Sequence, residues 1–429
     1  MGKEKLLPLD VAIIGGGPAG ISACLELSKS PNLRLALFEG DTELGGMPRS
    51  CHVFFGMRDQ RRVYTGSAYA RKLNRLIRKT EVEIHTASRV LDVIPGDPGQ
   101  LHRINVLSPK GLRSYESRFL LLATGCFESS RCARHIPGTR PAGILTTGTL
   151  QDLVNLRGLK PGKRALIIGS EHVAWSSVFT LRHAGTTIAG LVEEDQQLQT
   201  YPLVAGAIGR IFNFPVFKNT SVKAILGDRR VEAVELVEQV NRETIQVECD
   251  TIIVTGKFRP DSSLIDNTPI GQDPFTLGPV VDLSLMTSVP NIYAAGNLLR
   301  GADMHDLCAL EGRRAAHSIL THLTSGSRNH LDQLICISAA SPIRYVVPQK
   351  IGPSQIRKRL FPKLFPGPAI QVERTLINAV IEAWSGNKKI WKRFYRKLIG
   401  NTRIPLPIEK FDWDRVDSKN GVILKVKER

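Results

Sequence analysis

Residues 10–39 constrain this chain more than any other stretch. They read DVAIIGGGPAGISACLELSKSPNLRLALFE. The apolar run Val11-Ala12-Ile13-Ile14 predicts a buried strand, the segment from Pro18 to about Ser28 a helix, and Leu35-Ala36-Leu37-Phe38 a second buried strand closed by Glu39. Gly15-Gly16-Gly17-Pro18-Ala19-Gly20 joins the first strand to the helix in the pattern G-x-G-x-x-G, with an acid about twenty residues further on. Each part has a physical task. Gly15 permits a tight turn, Gly17 lets backbone approach a pyrophosphate, and Gly20 lets helix and strand pack closely. The helix start offers N–H groups and positive dipole to phosphate, and Glu39 can accept hydrogen bonds from ribose hydroxyls. A merely flexible glycine turn would need none of the flanking elements. Strand, helix, second strand and acid in register predict an adenine dinucleotide site.

The remaining bulk properties narrow the class. A chain of 429 residues predicts two or three domains. No apolar run approaches the roughly 18 residues of a membrane helix, and the charged start leads straight into the first strand without a signal peptide, so a cytoplasmic protein with no transmembrane segment is expected. The formal charge of +18, from 58 basic and 40 acidic side chains, attracts anions without saying which; a solvated basic surface is the plain reading. Seven cysteines (24, 51, 126, 132, 249, 308 and 336) form no C-x-x-C and no cluster. This argues against a disulfide scaffold, thioredoxin-type chemistry or an iron–sulfur site, and no metal is expected. Buried free thiols account for them, although Cys51 and Cys126 lie in segments that could approach a cofactor.

Further along, Gly45-Gly46 suggests a second close approach of backbone to the same ligand. An amphipathic helix is expected over 67–79, with Tyr69 in the core, and a meander over 82–118. The apolar strand 119–125, ending Ala123-Thr124-Gly125, should return to the first sheet. Residues 136–162 are rich in Pro and Gly and read as a crossing, with a short helix around 150–157. A second βαβ unit follows: strand 165–168, Gly169-Ser170-Glu171-His172-Val173-Ala174, a helix to Ala184, and a strand 187–192 ending at Glu193. Its middle glycine is replaced by Glu171, which puts charge and bulk of the wrong kind where a pyrophosphate would sit. His172 reads as a surface residue of the first helical turn. Strands are expected at 215–225, 231–237 and 245–254, then a return through 288–297 to a helix from about Leu310. The late stretch KKIWKRFYR (388–396) suits either a nucleic-acid or membrane contact, or an ordinary hairpin after the Gly386-Asn387 turn; the hairpin is the simpler reading.

These motifs together resemble the two-dinucleotide-binding-domain flavoproteins of the pyridine nucleotide-disulfide oxidoreductase-like superfamily, over roughly residues 8–325. The resemblance implies an α/β fold: an FAD-binding Rossmann-like domain (1–140 and 266–330) interrupted by a second Rossmann-like domain (141–265), plus a small C-terminal β-rich domain (331–429). It implies FAD held by Gly15, Gly17, Pro18, Ala19 and Gly20, with Glu39 on the ribose and Gly45, Gly46, Thr124, Gly125, Gly296 and Asn297 along the rest of the cofactor. The helix near Leu310 would point at the flavin. A candidate NAD(P) site would use Gly169, Ala174 and Glu193, in doubt because of Glu171; Asn297 also departs from the family's usual Asp. The segment IPGTRPAGILTTGTLQDLVN resembles a branch containing FAD subunits of hydrogen cyanide synthase, opine oxidase and dye-linked amino-acid dehydrogenases. The expected activity is FAD-dependent oxidation of a small-molecule substrate, with electrons passed to an acceptor or partner oxidoreductase subunit. The alternatives are an NAD(P)H-dependent flavin reductase and a non-catalytic electron-transfer subunit. Nucleic acid is not an expected partner, and no catalytic residue can be named.

Overall fold

The computed structural model describes residues 8–51, 54–200, 211–325, 334–352, 355 and 367–428. Its first sheet is built on a parallel set in the order Glu83–His85, Leu35–Phe38, Leu9–Ile14, Gly111–Leu122, Ile292–Ala294. Ile14 stands opposite Phe38 and Leu122, and Leu122 opposite Ala294, so four strand ends reach one edge together. Gly111–Leu122 is one continuous strand. Its first half pairs antiparallel with His102–Ser108, and that strand with Arg89–Ile94. The apolar strand expected over 119–125 is therefore the second half of the meander's last strand. The change falls where one-sided exposure gives way to burial on both faces, from Phe119 to Leu122.

The second sheet is wholly parallel, in the order Ile144–Thr146, Thr251–Val254, Arg164–Ile168, Thr187–Val192, Val216–Phe217. Its edge strand 144–146 lay hidden in the Pro/Gly-rich crossing. The short helix after it begins earlier than expected, at Thr147 (Thr147–Gln151), and continues as a π turn to Leu156. The run expected as one strand over 245–254 is two. Thr244–Glu248 belongs to an antiparallel meander with Ala233–Glu238 and Thr220–Leu226, and Thr251–Val254 to the parallel sheet. The break is at Asp250, whose carboxylate accepts the Lys163 and Arg164 backbone N–H groups at 2.8–3.0 Å. The two crossings between sheets pair with each other, Cys126–Glu128 against Phe258–Pro260.

The C-terminal residues form a five-stranded sheet in the order Lys350–Ile351, Ile335–Ala339, Val422–Glu428, Leu376–Ser385, Lys388–Leu398. Beside it is a three-stranded sheet of Ile343–Val347, Ala369–Val372 and Ile404–Pro405. Ile337, Ile370, Val372, Ile381, Ala383 and Leu424 are buried together in their common core. The 388–396 stretch is the second arm of a hairpin turning at Gly386, which sits at φ +54°. No helix among the described residues is long and apolar enough to cross a membrane.

Candidate functional site

Four backbone turns converge at the C-terminal edge of the first sheet, where open α/β sheets bind ligands. Gly15 sits at φ +110°, so close beneath the Ala123 carbonyl that a Cβ would collide with it. The Gly45-Gly46 turn lies alongside: Gly45 N–H donates to the Gly16 carbonyl at 2.8 Å, and a Cβ on Gly46 would stand 3.0 Å from the Gly17 Cα. Gly296, at φ +77°, faces Ala19, with a Cβ there 3.0 Å from the alanine methyl. Gly20 abuts the Gly15 carbonyl, and Gly312 of the helix His305–Ser325 abuts the Ala19 carbonyl, which draws the two helices together. Two glycines are different. A Cβ on Gly17 or on Gly125 meets no atom within 4 Å. The helix Pro18–Leu27 has Pro18 in its first turn and no side-chain cap, so its N–H groups are left for a ligand or solvent.

Side chains around this cradle are largely engaged. Glu39 accepts the Gly16 N–H on Oε2 at 2.7 Å and the Asp41 N–H on Oε1 at 2.8 Å, and each oxygen keeps a second lone pair. Thr124 Oγ1 donates to the Asp261 carbonyl at 2.7 Å, and the Gly125 carbonyl accepts the Asp261 N–H, clamping that turn to the second crossing. Asn297 turns inward: its Oδ1 accepts the Asp303 N–H at 2.9 Å and the Cys308 thiol at 3.0 Å. The following helix starts at His305, five residues before the expected Leu310, and carries Asp306 in its first turn. Asp306 Oδ1 accepts the Leu307 N–H and Oδ2 the Arg58 N–H. An open, backbone-lined cradle at an uncapped helix start fits the pyrophosphate of a flavin dinucleotide.

Beneath the cradle lies a charge cluster that the sequence did not signal. Arg300 donates to Glu311 at 2.5 Å and to Asp303 at 3.0 Å; Arg403, from the C-terminal part, reaches Asp303 at 3.0 Å and Glu311 at 3.5 Å. Glu311 Oε2 also accepts the Gly296 N–H at 3.2 Å. Burial works against the Asp303 carboxylate, but the two arginines outweigh it and hold it below the usual carboxylate range. Arg403 lies 100 positions from Asp303 in sequence, and the cluster follows no motif.

The cysteines differ partly from expectation. Cys24, Cys249 and Cys308 are buried, but Cys132 and Cys336 are exposed, and all seven are free. Burial pushes Cys51 and Cys126 up to about 12, and Cys51 donates to Gln151 Oε1 at 3.1 Å. Both stay protonated at neutral pH, which does not suit thiolate chemistry.

The second βαβ unit repeats the geometry and fills its cradle. Gly169 takes φ +119°, as Gly15 takes φ +110°. Glu171, at the place of Gly17, folds back and accepts the Thr255 hydroxyl on Oε2 at 2.8 Å. Its carboxylate lies over Gly256, the counterpart of Gly125, where a Cβ would run into it. Ala174 is fully buried, and Glu193 is 4% exposed. Glu193 accepts the Ser170 hydroxyl on Oε2, and on Oε1 the Asp195 N–H at 2.9 Å and the Gln199 amide at 3.4 Å. Burial pushes its carboxyl up to about 7, with Glu171 nearby adding to the rise. His172 is exposed at the helix start, as expected, and pairs with Thr200 Oγ1 at 2.7 Å. These residues do not fit an ordinary nicotinamide dinucleotide: its pyrophosphate would meet the Glu171 carboxylate, and Glu193 is buried with both carboxylate oxygens already engaged.

Two successive Rossmann-type units, the first open and the second closed by its own carboxylate, define a flavoprotein of the two-nucleotide-fold kind. The chain belongs to the pyridine nucleotide-disulphide oxidoreductase family, whose model matches residues 9–313, and it is an FAD-dependent oxidoreductase. It is 32% identical over 183 residues to the hydrogen cyanide synthase subunit HcnB of Pseudomonas aeruginosa, covering 42% of this chain and 38% of that protein. The chain thus spans well under half of HcnB. Ferredoxin–NADP reductase 1 of Lysinibacillus sphaericus is 22% identical over 329 residues, 72% of this chain and 87% of that protein. Among solved structures, thioredoxin reductase of T. acidophilum superposes with a TM-score of 0.63 at 20% identity, over 74% of this chain and 99% of that one, which shows the shared fold.

Proposed function

We propose that this protein oxidises a small-molecule substrate through FAD and passes the electrons to an acceptor or a partner oxidoreductase subunit, without drawing on NAD(P)H. The observation that carries this reading is the Glu171 carboxylate lodged against Thr255 and Gly256. An anion fixed in that crook repels a second one at short range. The match to a named synthase subunit, HcnB, supports a role within a larger assembly.

Residues 1–140 and 266–330 would form the FAD-binding domain, 141–265 the Rossmann insert, and 331–429 the C-terminal domain. Gly15, Gly17, Pro18, Ala19 and Gly20 would hold the pyrophosphate at the helix start, with Glu39 on the ribose hydroxyls. Gly45, Gly46, Thr124, Gly125 and Gly296 would supply the walls, and Asn297 would position the Asp303 turn. Bound FAD supplies a two-electron acceptor for a hydride leaving the substrate. The chain's own contribution is alignment and exclusion of water, and hydride transfer does not by itself demand an acid or base. Seven free thiols suit a reducing compartment, so we place the protein in the cytoplasm.

Anaerobic titration of the flavin-loaded protein tests the reading. NADH and NADPH should both leave the flavin absorbance oxidised, and E171G should gain slow bleaching by at least one of them. Rapid bleaching of the wild type by NADH, lost in E171G, would overturn the proposal in favour of a pyridine-nucleotide reductase.

A further inference from the structure

The charge of the chain is unevenly placed. Residues 331–429 hold 20 Lys and Arg against 8 Asp and Glu, so this last part carries +12 of the overall +18. Much of the excess is displayed on one face of the five-stranded sheet. The pairing registers put Trp384 opposite Lys389 and Ile423, Glu382 opposite Lys392 and Lys425, and Val380 opposite Phe394 and Lys427. The alternate positions Ala379, Ile381, Ala383 and Leu424 fill the core, so the first set faces outward.

On these three strands the outward set has four lysines and one acid. Glu382 is 4% exposed and already neutralised, with Lys389 at 2.7 Å and Lys427 at 3.5 Å. Lys389 and Lys425 flank the Trp384 ring, 4.9 and 5.8 Å from its centroid. Apolar groups sit among the cations: Phe394 is 49% exposed, Ile423 39%, and Trp384 is half-buried.

We propose that this face docks on an anionic lipid surface. The chemistry favours a bilayer over a protein partner because the cations are lysines, which are depleted at the cores of protein interfaces. A lysine is a flexible point charge without the planar fork that reads a carboxylate or phosphate in two bonds. Such charges suit a diffuse layer of headgroups, with their stems lying along apolar surface. Two aromatic rings and an aliphatic side chain at the centre would dip into the headgroup–acyl boundary. The face is a pleated surface and not a groove that follows a strand, which disfavours single-stranded nucleic acid. The attachment is peripheral and stands apart from the reading of the flavin site.

Co-sedimentation of the flavin-loaded protein with vesicles tests it. Vesicles of phosphatidylcholine with about one-third phosphatidylserine should retain the protein, pure phosphatidylcholine should not, and high salt should release it. Each of K392Q, K425Q and K427Q should weaken partitioning about fivefold. F394S, which changes no charge, should weaken it by a similar factor. All four positions are exposed, so an unchanged flavin spectrum and melting curve would exclude misfolding as the cause. Equal retention on both vesicle types, or full retention by the triple glutamine variant, would overturn the proposal. So would tighter binding to a poly(dT) oligonucleotide than to the anionic vesicles, lost in the same variants.

Discussion

At the scale of single residues, two glycines in one turn are there for opposite reasons, and substitution separates them. Gly15 is dictated by the fold: φ is +110° and the Ala123 carbonyl leaves no room for a Cβ. G15A should destabilise the apoprotein by about 2 kcal/mol or more, the cost of a strained backbone before any displacement is added. Gly17 has ordinary φ of −81°, and its Cβ would enter open space. G17A should leave the apoprotein melting curve within about 0.5 kcal/mol of wild type, as expected away from buried features. It should nevertheless weaken FAD binding tenfold or more, about 1.4 kcal/mol. Apoprotein melts beside a flavin fluorescence titration measure both, and a G17A apoprotein as unstable as G15A would refute the assignment of the open space to ligand. The spacing of these glycines was legible because a fingerprint is a local pattern. Glu171 stood out for the same reason, as a break in a pattern. Its hydrogen bond to Thr255, 84 positions away, had no local signal.

At the scale of elements, strand Thr187–Val192 delivers Glu193 into a dry position that holds its carboxyl near 7. The unfolded value is near 4.5. Native protein therefore binds the proton more tightly than unfolded chain across this interval, and stability falls as pH rises from about 4.5 to 7, then levels off. The span is worth about 3 kcal/mol at most. E193Q should remove that slope: the variant and wild type should melt alike near pH 5 and diverge towards pH 8, with the variant higher. Parallel melting curves across the range would show that Glu193 ionises freely. The other elements were legible wherever period and burial changed together, as in the two βαβ units. Reading failed where one strand changes from an antiparallel partner to parallel ones within a single sheet, as with Gly111–Leu122, or where a short edge strand hides among prolines, as with Ile144–Thr146. In both cases it is tertiary pairing that decides, and local composition does not carry it.

At the scale of the molecule, one loop of the C-terminal part touches both nucleotide-type units. Asn401 donates to Gln199, which donates in turn to Glu193 of the second unit, while Arg403 enters the Asp303–Glu311 pair beneath the first. Arg300 alone is then left to balance two buried carboxylates if Arg403 is removed. Breaking a buried ion cluster from one side leaves charge uncompensated, and R403A should cost about 2–3 kcal/mol, at the lower end because the Arg403 side chain keeps 15% exposure. The loss should be smaller when D303N is already present, because one of the orphaned carboxylates is then neutral. A coupling of about 1 kcal/mol or more between the two positions is expected for groups in one network. Denaturant unfolding of the four proteins of that cycle measures it. Additive losses would mean that Arg403 acts through packing alone, and that the C-terminal part rests against the flavin unit without electrostatic linkage. A coupled result would make the C-terminal part a support of the Gly296 turn, since Glu311 holds both that turn's N–H and the arginines.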